Sequence, residues 1–168
     1  SNVWFIDFDS DGDLDAIGAA RRDEETGLSA FRNDGSGNYS NATTEVLSSF
    51  PPRFHRVWDA EVADFTGDGL DDIYIGNSSA GGRDGLLVQQ PDGRLVNEQD
   101  RIPEVLGRTL AVASGDIDND GDVDIYLGNV WSDANTSASF LINDGTGVFT
   151  NDTGRVSDGD NLLELIEN

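Results

Sequence analysis

Short apolar segments bounded by glycine and acidic residues recur along the chain. Three of them follow an acidic loop and are closed by a glycine: Ala16-Ile17, Ile73–Ile75 and Ile125–Leu127. Three more lead into the same loops: Asn2–Ile6, Val57–Ala63 and Thr109–Gly115. Because these segments are short and rich in β-branched and aromatic residues, they indicate strands that enter and leave each loop.

A second pair of strands follows each of these first pairs. Third strands are predicted at Leu28–Arg32, Gly85–Gln90 and Ser137–Asn143. Glycine-containing turns come next, at Asn33–Gly37, Pro91–Gly93 and Asn143–Gly147. Fourth strands are predicted around Tyr39, at Leu95–Asn97 and at Val148–Thr150. The predicted fold class is therefore all-β, with three four-stranded antiparallel units that have the form of β-propeller blades.

The repeat also predicts how the chain is divided. The 168 residues suffice for one domain, a single propeller-type segment. Blade 1 is expected at about 1–50, blade 2 at about 57–100 and blade 3 at about 109–153. Residues 154–168 form a tail or the start of a further link, and its apolar end, Leu162–Ile166, needs a partner to bury it.

The three loops, at 7–15, 64–72 and 116–124, share one acidic pattern. Acidic residues occupy the first, third, fifth and ninth places and glycine the sixth, except that Thr66 stands at the third place of the second loop. Carboxylates at alternate places of a tight loop converge and repel, and a hard divalent cation removes the repulsion. Ca²⁺ accepts about 6–8 oxygen ligands and suits such a loop. We therefore expect about three Ca²⁺ ions, one per repeat.

Two other calcium motifs do not fit this pattern. An EF-hand needs a bidentate Glu at the twelfth place, where these loops have Gly18, Ile75 and Leu127. The glycine-rich nonapeptide repeat of calcium-binding β-helices is also missing from the sequence.

Three segments, at 62–76, 115–128 and 141–150, resemble the FG-GAP/VCBS repeat family, whose members form the blades of integrin-α-like β-propellers. The resemblance implies that the calcium loop joins the first and second strands of a blade. It also implies five ligands per loop: the side chains at places one, three, five and nine, and the backbone carbonyl at place seven. The implied ligands are Asp7, Asp9, Asp11, Asp13 and Asp15; Asp64, Thr66, Asp68, Leu70 and Asp72; and Asp116, Asp118, Asp120, Asp122 and Asp124.

The sequence departs from the family's pattern in two respects. Thr66 carries no charge, so the middle site is predicted to be the weakest. Closed propellers have about 4–8 blades, whereas three are predicted here. Either the sequence is part of a longer propeller, or identical subunits join head to tail, and a contact of that kind which does not close gives a filament. The sequence does not distinguish the two hypotheses, a longer propeller and an assembly of identical subunits.

The formal net charge of −23 argues against nucleic acid and anionic membrane surfaces as partners. No apolar stretch is long enough to span a membrane. The chain has no cysteine, which fits a protein stabilised by calcium rather than by disulfides. Loops of this type stay loaded where calcium is millimolar, so an extracellular or cell-surface location is expected. Because the chain starts with Ser1, we expect a processed chain or a piece of a longer one.

Five Asn-X-Ser/Thr sequons are candidate N-glycosylation sites: Asn38, Asn41, Asn77, Asn135 and Asn151. The alternative is that Asn and Ser are simply frequent in turns. Both explanations remain open from the sequence.

No catalytic residues are predicted. His55 is the only histidine and follows Pro51-Pro52 in a link, and no Ser-His-acid arrangement is evident. Trp4 and Trp58 are expected to pack between blades, whereas Trp131 could stack on a sugar. The leading hypothesis is a non-enzymatic structural or adhesive segment, whose partners are other blades or identical subunits. The alternative is a lectin-like module that binds extracellular protein or glycan, and a polysaccharide-acting enzyme ranks third.

Overall fold

The computed structural model describes residues 2–22, 25–47, 57–79, 82–105, 108–130 and 138–152. His55, Pro51-Pro52, Trp131, Asn135 and the tail at 154–168 lie outside the described residues. Among the described residues, no helix is long and apolar enough to cross a membrane.

The chain forms three four-stranded antiparallel sheets, in each of which the strands lie in sequence order. Sheet one contains β1 (Asn2–Ile6), β2 (Asp15–Arg22), β3 (Glu25–Asn33) and β4 (Tyr39–Asn41). Sheet two contains β5 (Val57–Ala63), β6 (Asp72–Asn77), β7 (Gly85–Gln89) and β8 (Leu95–Asn97). Sheet three contains β9 (Arg108–Gly115), β10 (Asp124–Val130), β11 (Ala138–Asn143) and β12 (Phe149–Asp152). The predicted all-β class with three four-stranded sheets is confirmed.

Two local features differ from the sequence prediction. The strands on either side of the polar residues that separate the predicted second and third strands of sheet one are longer than predicted, since Arg21 pairs with Thr26 and Arg22 with Glu25. Backbone pairing does not require apolar side chains, so a polar pattern does not end a strand. A short helix, α1 (Thr43–Val46), and a 3-10 turn (Gln99–Arg101) follow the fourth strands of sheets one and two, where the sequence predicted no helix.

Each sheet has two faces, because neighbouring residues of a strand point to opposite sides. We call the face that carries Phe5, Val62 or Ser114 the front face of its sheet, and the opposite one the back face. The register puts Phe5, Ala16 and Phe31 on one rung of sheet one. The same rung is formed by Val62, Ile73 and Leu87 in sheet two, and by Ser114, Ile125 and Leu141 in sheet three.

The core consists of two clusters, one at each junction between sheets. The first joins the back face of sheet one, with Ile6 and Ile17, to the front face of sheet two, with Ile73 and Leu87. The second joins the back face of sheet two, with Tyr74 and Leu86, to the front face of sheet three, with Val112, Ile125 and Leu141. First strands are neighbours across both junctions, β1 beside β5 and β5 beside β9. Burial on both faces of the middle sheet is the packing typical of propeller blades.

Candidate metal-binding loops

The three acidic loops are the hairpin connections between the first and second strands of each sheet. Their fourth and sixth places have left-handed backbone, which turns the chain tightly. The fourth places are Ser10, Gly67 and Asn119, with φ of 58°, 73° and 66°. The sixth are Gly12, Gly69 and Gly121, with φ of 92°, 86° and 98°. Glycine at the sixth place is explained by this conformation, which L-residues with a Cβ rarely adopt.

The carboxylate at place one accepts hydrogen bonds from the loop backbone. In loop one, Asp11 N and Gly12 N donate to Asp7 at 3.1 Å and 2.9 Å. In loop three, Asp120 N and Gly121 N donate to Asp116, both at 3.1 Å. Asp64 accepts the corresponding bonds in loop two. The loop is therefore already shaped around this carboxylate by its own backbone.

The carboxylate at place nine is fully buried in every loop: Asp15, Asp72 and Asp124. In each of them, one carboxylate oxygen accepts the backbone N–H of place two. The other oxygen accepts the backbone N–H of the last residue of the third strand. For Asp124, these donors are Ile117 N at 2.9 Å and Asn143 N at 2.8 Å. Place nine thus couples the loop to the third strand of the same sheet.

The structure brings three predicted ligands together in two of the loops. Oxygens of Asp7, Asp9 and Asp15 lie within 4.8 Å of one another, and so do oxygens of Asp116, Asp118 and Asp120. Loop two contributes no such group among the described residues, because the third place is a threonine. The carboxylate at place five accepts the N–H of place seven in all three loops: Asp11 and Asp68 at 2.9 Å and Asp120 at 3.0 Å.

The third place carries an unused oxygen in loops one and two. Asp9 Oδ1 and Thr66 Oγ1 are buried and have no hydrogen-bond partner within the described part of the chain. The other carboxylate oxygen of Asp9 pairs with Arg32 Nε at 2.7 Å, and the same guanidinium lies 5.4 Å above the Phe8 ring. A buried oxygen without a donor is costly, so these atoms fit a site in which a cation supplies the missing contact.

The side chains at place seven turn away from the loop interior. A Cβ added at Gly145 would lie 2.5 Å from Asp122 Oδ2, and one added at Gly35 would meet Asp13 in the same way. Asp13 and Asp122 therefore contact the turn between the third and fourth strands. Place seven is Leu70 in loop two, whose side chain has no oxygen, and the backbone carbonyl ligand implied for this place stays a prediction.

Burial and mutual repulsion raise the pKa of several loop carboxyls. Burial raises the pKa of Asp72 to about 6, against hydrogen bonds from the backbone N–H of Gln89. Burial also raises the pKa of Asp15, and the charges of Asp9 and Asp11 raise it further. These carboxylates lack compensating positive charge, and a bound cation would lower the pKa of each, against the effect of burial.

Two side-chain amides that sequence reasoning missed connect sheets two and three to the loop of the sheet before each of them. Gln89 Nε2 donates to Phe8 O at 3.2 Å, and Asn143 Nδ2 donates to Phe65 O at 2.8 Å. Both amides are buried and stand at the end of a third strand, where sheet one has Asn33. Aligning the three repeats at this position could have found them.

Four of the five sequons fall on described residues. Asn38, Asn41 and Asn151 are exposed. Asn77 is only 3% exposed, and its Nδ2 donates to Arg83 O at 3.2 Å. A glycan on Asn77 is incompatible with this packing, so the prediction at Asn77 is corrected while the three exposed sequons stay candidates.

Trp58 is 54% exposed, contrary to the expected packing between blades, whereas Trp4 packs against the first core cluster.

The FG-GAP-like repeat model matches residues 7–75 and 64–127, which together cover more than half of the chain. The chain belongs to the FG-GAP-like repeat family. Both matches of this FG-GAP chain run from one acidic loop into the strand that leaves the next. No curated protein sequence shows significant similarity to the chain.

Among solved structures, this FG-GAP chain is similar to a lectin of Agrocybe aegerita that recognises non-reducing terminal N-acetylglucosamine. The identity is 18% and the TM-score 0.47, over 87% of this chain and 36% of the lectin chain. The chain thus spans about a third of that lectin's length.

Proposed function

We propose that this FG-GAP chain is a calcium-binding structural module that acts outside the cell. About three Ca²⁺ ions hold the loops that join the first and second strands, and each loop supports the junction with the next sheet. The observation that carries this proposal is the meeting of three carboxylate oxygens within 4.8 Å in loops one and three. The chain's own residues supply the fixed loop backbone and the oxygens, and calcium supplies the positive charge that they lack.

The geometry favours a stabilising role for the metal over a catalytic one. The carboxylate at place nine is fully buried in every loop. Phe8 and Phe65, at place two of loops one and two, pack into the core clusters that join their sheet to the following sheet. Calcium bound at such a loop stabilises the folded chain by mass action. This burial supports a non-enzymatic role, and the partners in this proposal are further blades or identical subunits, joined head to tail.

Thermal unfolding in calcium and in EDTA tests this proposal. A ligand at a hundred times its Kd adds about 2.7 kcal/mol per site, and each kcal/mol raises Tm by about 2–4 °C for a chain of this size. We expect Tm in millimolar calcium to exceed Tm in EDTA by several degrees or more. Asp9→Asn should reduce this difference.

Asp100→Asn is the matched control, since Asp100 is exposed and lies in the 3-10 turn outside all three loops. It should keep the full calcium-dependent rise. Equal melting of the unmodified chain in calcium and in EDTA would reject the proposal.

The glycan-binding alternative stays a prediction. Its candidate aromatic residue, Trp131, lies outside the described residues. Binding of the calcium-loaded chain to a glycan array, abolished by Trp131→Ala, would establish this alternative in place of a purely structural role.

A further inference from the structure

The front face of sheet one is apolar and exposed. Val3 is 57%, Phe5 55% and Tyr39 46% exposed, and Phe31 is half-buried beside them. The register gives each a counterpart on the front faces of sheets two and three, and most of those are buried against the preceding sheet. The buried counterparts are Ala60, Leu87 and Leu95 in sheet two, and Val112, Leu141 and Phe149 in sheet three.

Both junctions inside the chain are made by the same contacts. The aromatic side chain at place two of one loop, Phe8 or Phe65, is fully buried in the cluster formed with the next sheet. The next sheet donates its amide, Gln89 or Asn143, to the carbonyl of that place-two residue. The turn beyond the amide also approaches closely, since a Cβ at Gly93 would lie 3.1 Å from Phe8 O.

Sheet three presents one half of this contact. Ile117 occupies place two of loop three and is half-buried, whereas Phe8 and Phe65 are fully buried. On the back face of the same sheet, Tyr126 and Phe140 are half-buried with their ring centroids 5.1 Å apart. Their counterparts in sheet two are Tyr74 and Leu86, both fully buried.

Sheet one presents the other half. Asn33 stands at the amide position and makes the same local bonds as Asn143: its Oδ1 accepts Gly35 N and Gly37 N, both at 3.2 Å. Its Nδ2 donates to Leu14 O at 3.1 Å, as Asn143 Nδ2 donates to Val123 O at 3.1 Å. In Asn143 the second amide hydrogen reaches the preceding loop. The second amide hydrogen of Asn33 is therefore available for the equivalent bond to a loop carbonyl.

We propose that the front face of sheet one binds loop three and the back face of sheet three in a second copy of this chain. The Ile117 side chain of the second copy packs among Phe5, Phe31 and Tyr39, and Asn33 Nδ2 donates to the backbone carbonyl of that Ile117. The contact joins two different surfaces and is therefore head to tail. It specifies the assembly part of the proposed function, and bound calcium favours it by lowering the repulsion of loop three.

Sedimentation of the chain in calcium, over a wide range of concentration, tests this interface. The average mass should rise to at least twice the 18.0 kDa of one chain. Phe5→Glu and Ile117→Gln should each hold the mass at that of one chain, because each removes one half of the contact. Asp100→Asn is the control: Asp100 is exposed in the 3-10 turn (Gln99–Arg101), which belongs to neither surface, and the variant should associate normally.

A mixture of the two variants gives the sharpest result. The Phe5→Glu chain keeps an intact sheet three, and the Ile117→Gln chain keeps an intact sheet one. Together they should form dimers of one copy of each and nothing larger, which also shows that both variants are folded. A mixture that stays at the mass of one chain overturns the head-to-tail contact.

Calcium binding is measured by melting and association by sedimentation, so the two proposals are tested separately. A chain that melts higher in calcium but sediments as one copy at every concentration overturns the interface and leaves the calcium proposal standing. Association that Phe5→Glu does not reduce also overturns the interface. Absence of any calcium effect on melting, together with association that both variants abolish, rejects the calcium proposal and supports the interface.

Discussion

The residue at the third loop place distinguishes the middle loop from its two neighbours. Loop one brings Asp9 within 4.8 Å of two other carboxylates, and loop three does the same with Asp118. In loop two the corresponding atom is Thr66 Oγ1, buried and without a hydrogen-bond partner among the described residues. A hydroxyl can bind calcium but adds no negative charge, and calcium affinity rises with the charge of the ligand set.

We predict that Thr66→Asp strengthens the middle site by on the order of tenfold or more, which corresponds to about 1.4 kcal/mol. In EDTA the same change should lower Tm, because it adds a carboxylate beside Asp64 and Asp72. Calcium titration calorimetry and melting curves check the two effects. Thr150→Asp, at an exposed position of β12, should change neither; a middle site left unchanged by Thr66→Asp would contradict this account of its weakness.

At the scale of the elements, a buried carboxylate connects strands of sheets two and three. Asp84, which precedes β7, accepts Tyr74 Oη–H at 2.9 Å from β6 and Asn77 N at 2.7 Å. Thr109 Oγ1 of β9 also donates to it, at 2.8 Å. Burial raises the pKa of Asp84 above its ordinary value of 3.8, although all three hydrogen bonds lower it. Its charged form therefore destabilises the folded chain relative to its neutral form.

The pH dependence follows from this direction. The stabilising contribution of protonated Asp84 is fully present below its unfolded pKa of 3.8 and is lost as pH rises through the folded value. Asp84→Asn cannot ionise; its Oδ1 can still accept the Asn77 N–H, and its amide N–H groups would donate to the hydroxyls of Tyr74 and Thr109. We therefore predict that the unmodified chain loses Tm relative to Asp84→Asn as pH rises from about 4 to 7.

Melting curves at saturating calcium measure this difference at each pH, and each kcal/mol corresponds to about 2–4 °C. Asp100→Asn, which makes the same substitution at an exposed position outside this network, is the control for the change of Asp to Asn itself. A gap between the unmodified chain and Asp84→Asn that is constant with pH would contradict the buried-carboxylate explanation.

At the scale of the whole molecule, neighbouring sheets place their loops side by side. Partial burial raises the pKa of Asp71, and the charges of Asp64 in its own loop and of Asp7 in the preceding loop raise it further. Loops one and two thus lie close enough for their charges to interact, and the three loops together carry much of the net charge of −23. Three bound calcium ions would offset six of these charges where they repel most.

Much of this architecture could be predicted from the sequence, because each repeat combines an acidic loop, a period-2 apolar pattern and a glycine turn. The contacts between repeats could not. Gln89 bonds to a carbonyl 81 residues away, and Asp84 is in contact with Thr109 of the next sheet. Neither amide nor carboxylate is distinguishable from a surface residue until the sheets are stacked. The sequence likewise does not show that the front face of sheet one is exposed, because its apolar strand pattern resembles that of a buried strand.

Calorimetric titration of calcium into the chelator-treated chain at neutral pH decides whether the acidic loops bind calcium. We predict binding of about three ions below millimolar calcium, with the loop that contains Thr66 filled last, and a folded chain that becomes more stable as they bind. Titration to millimolar calcium without any binding heat, in a chain whose sheets are formed, would contradict it.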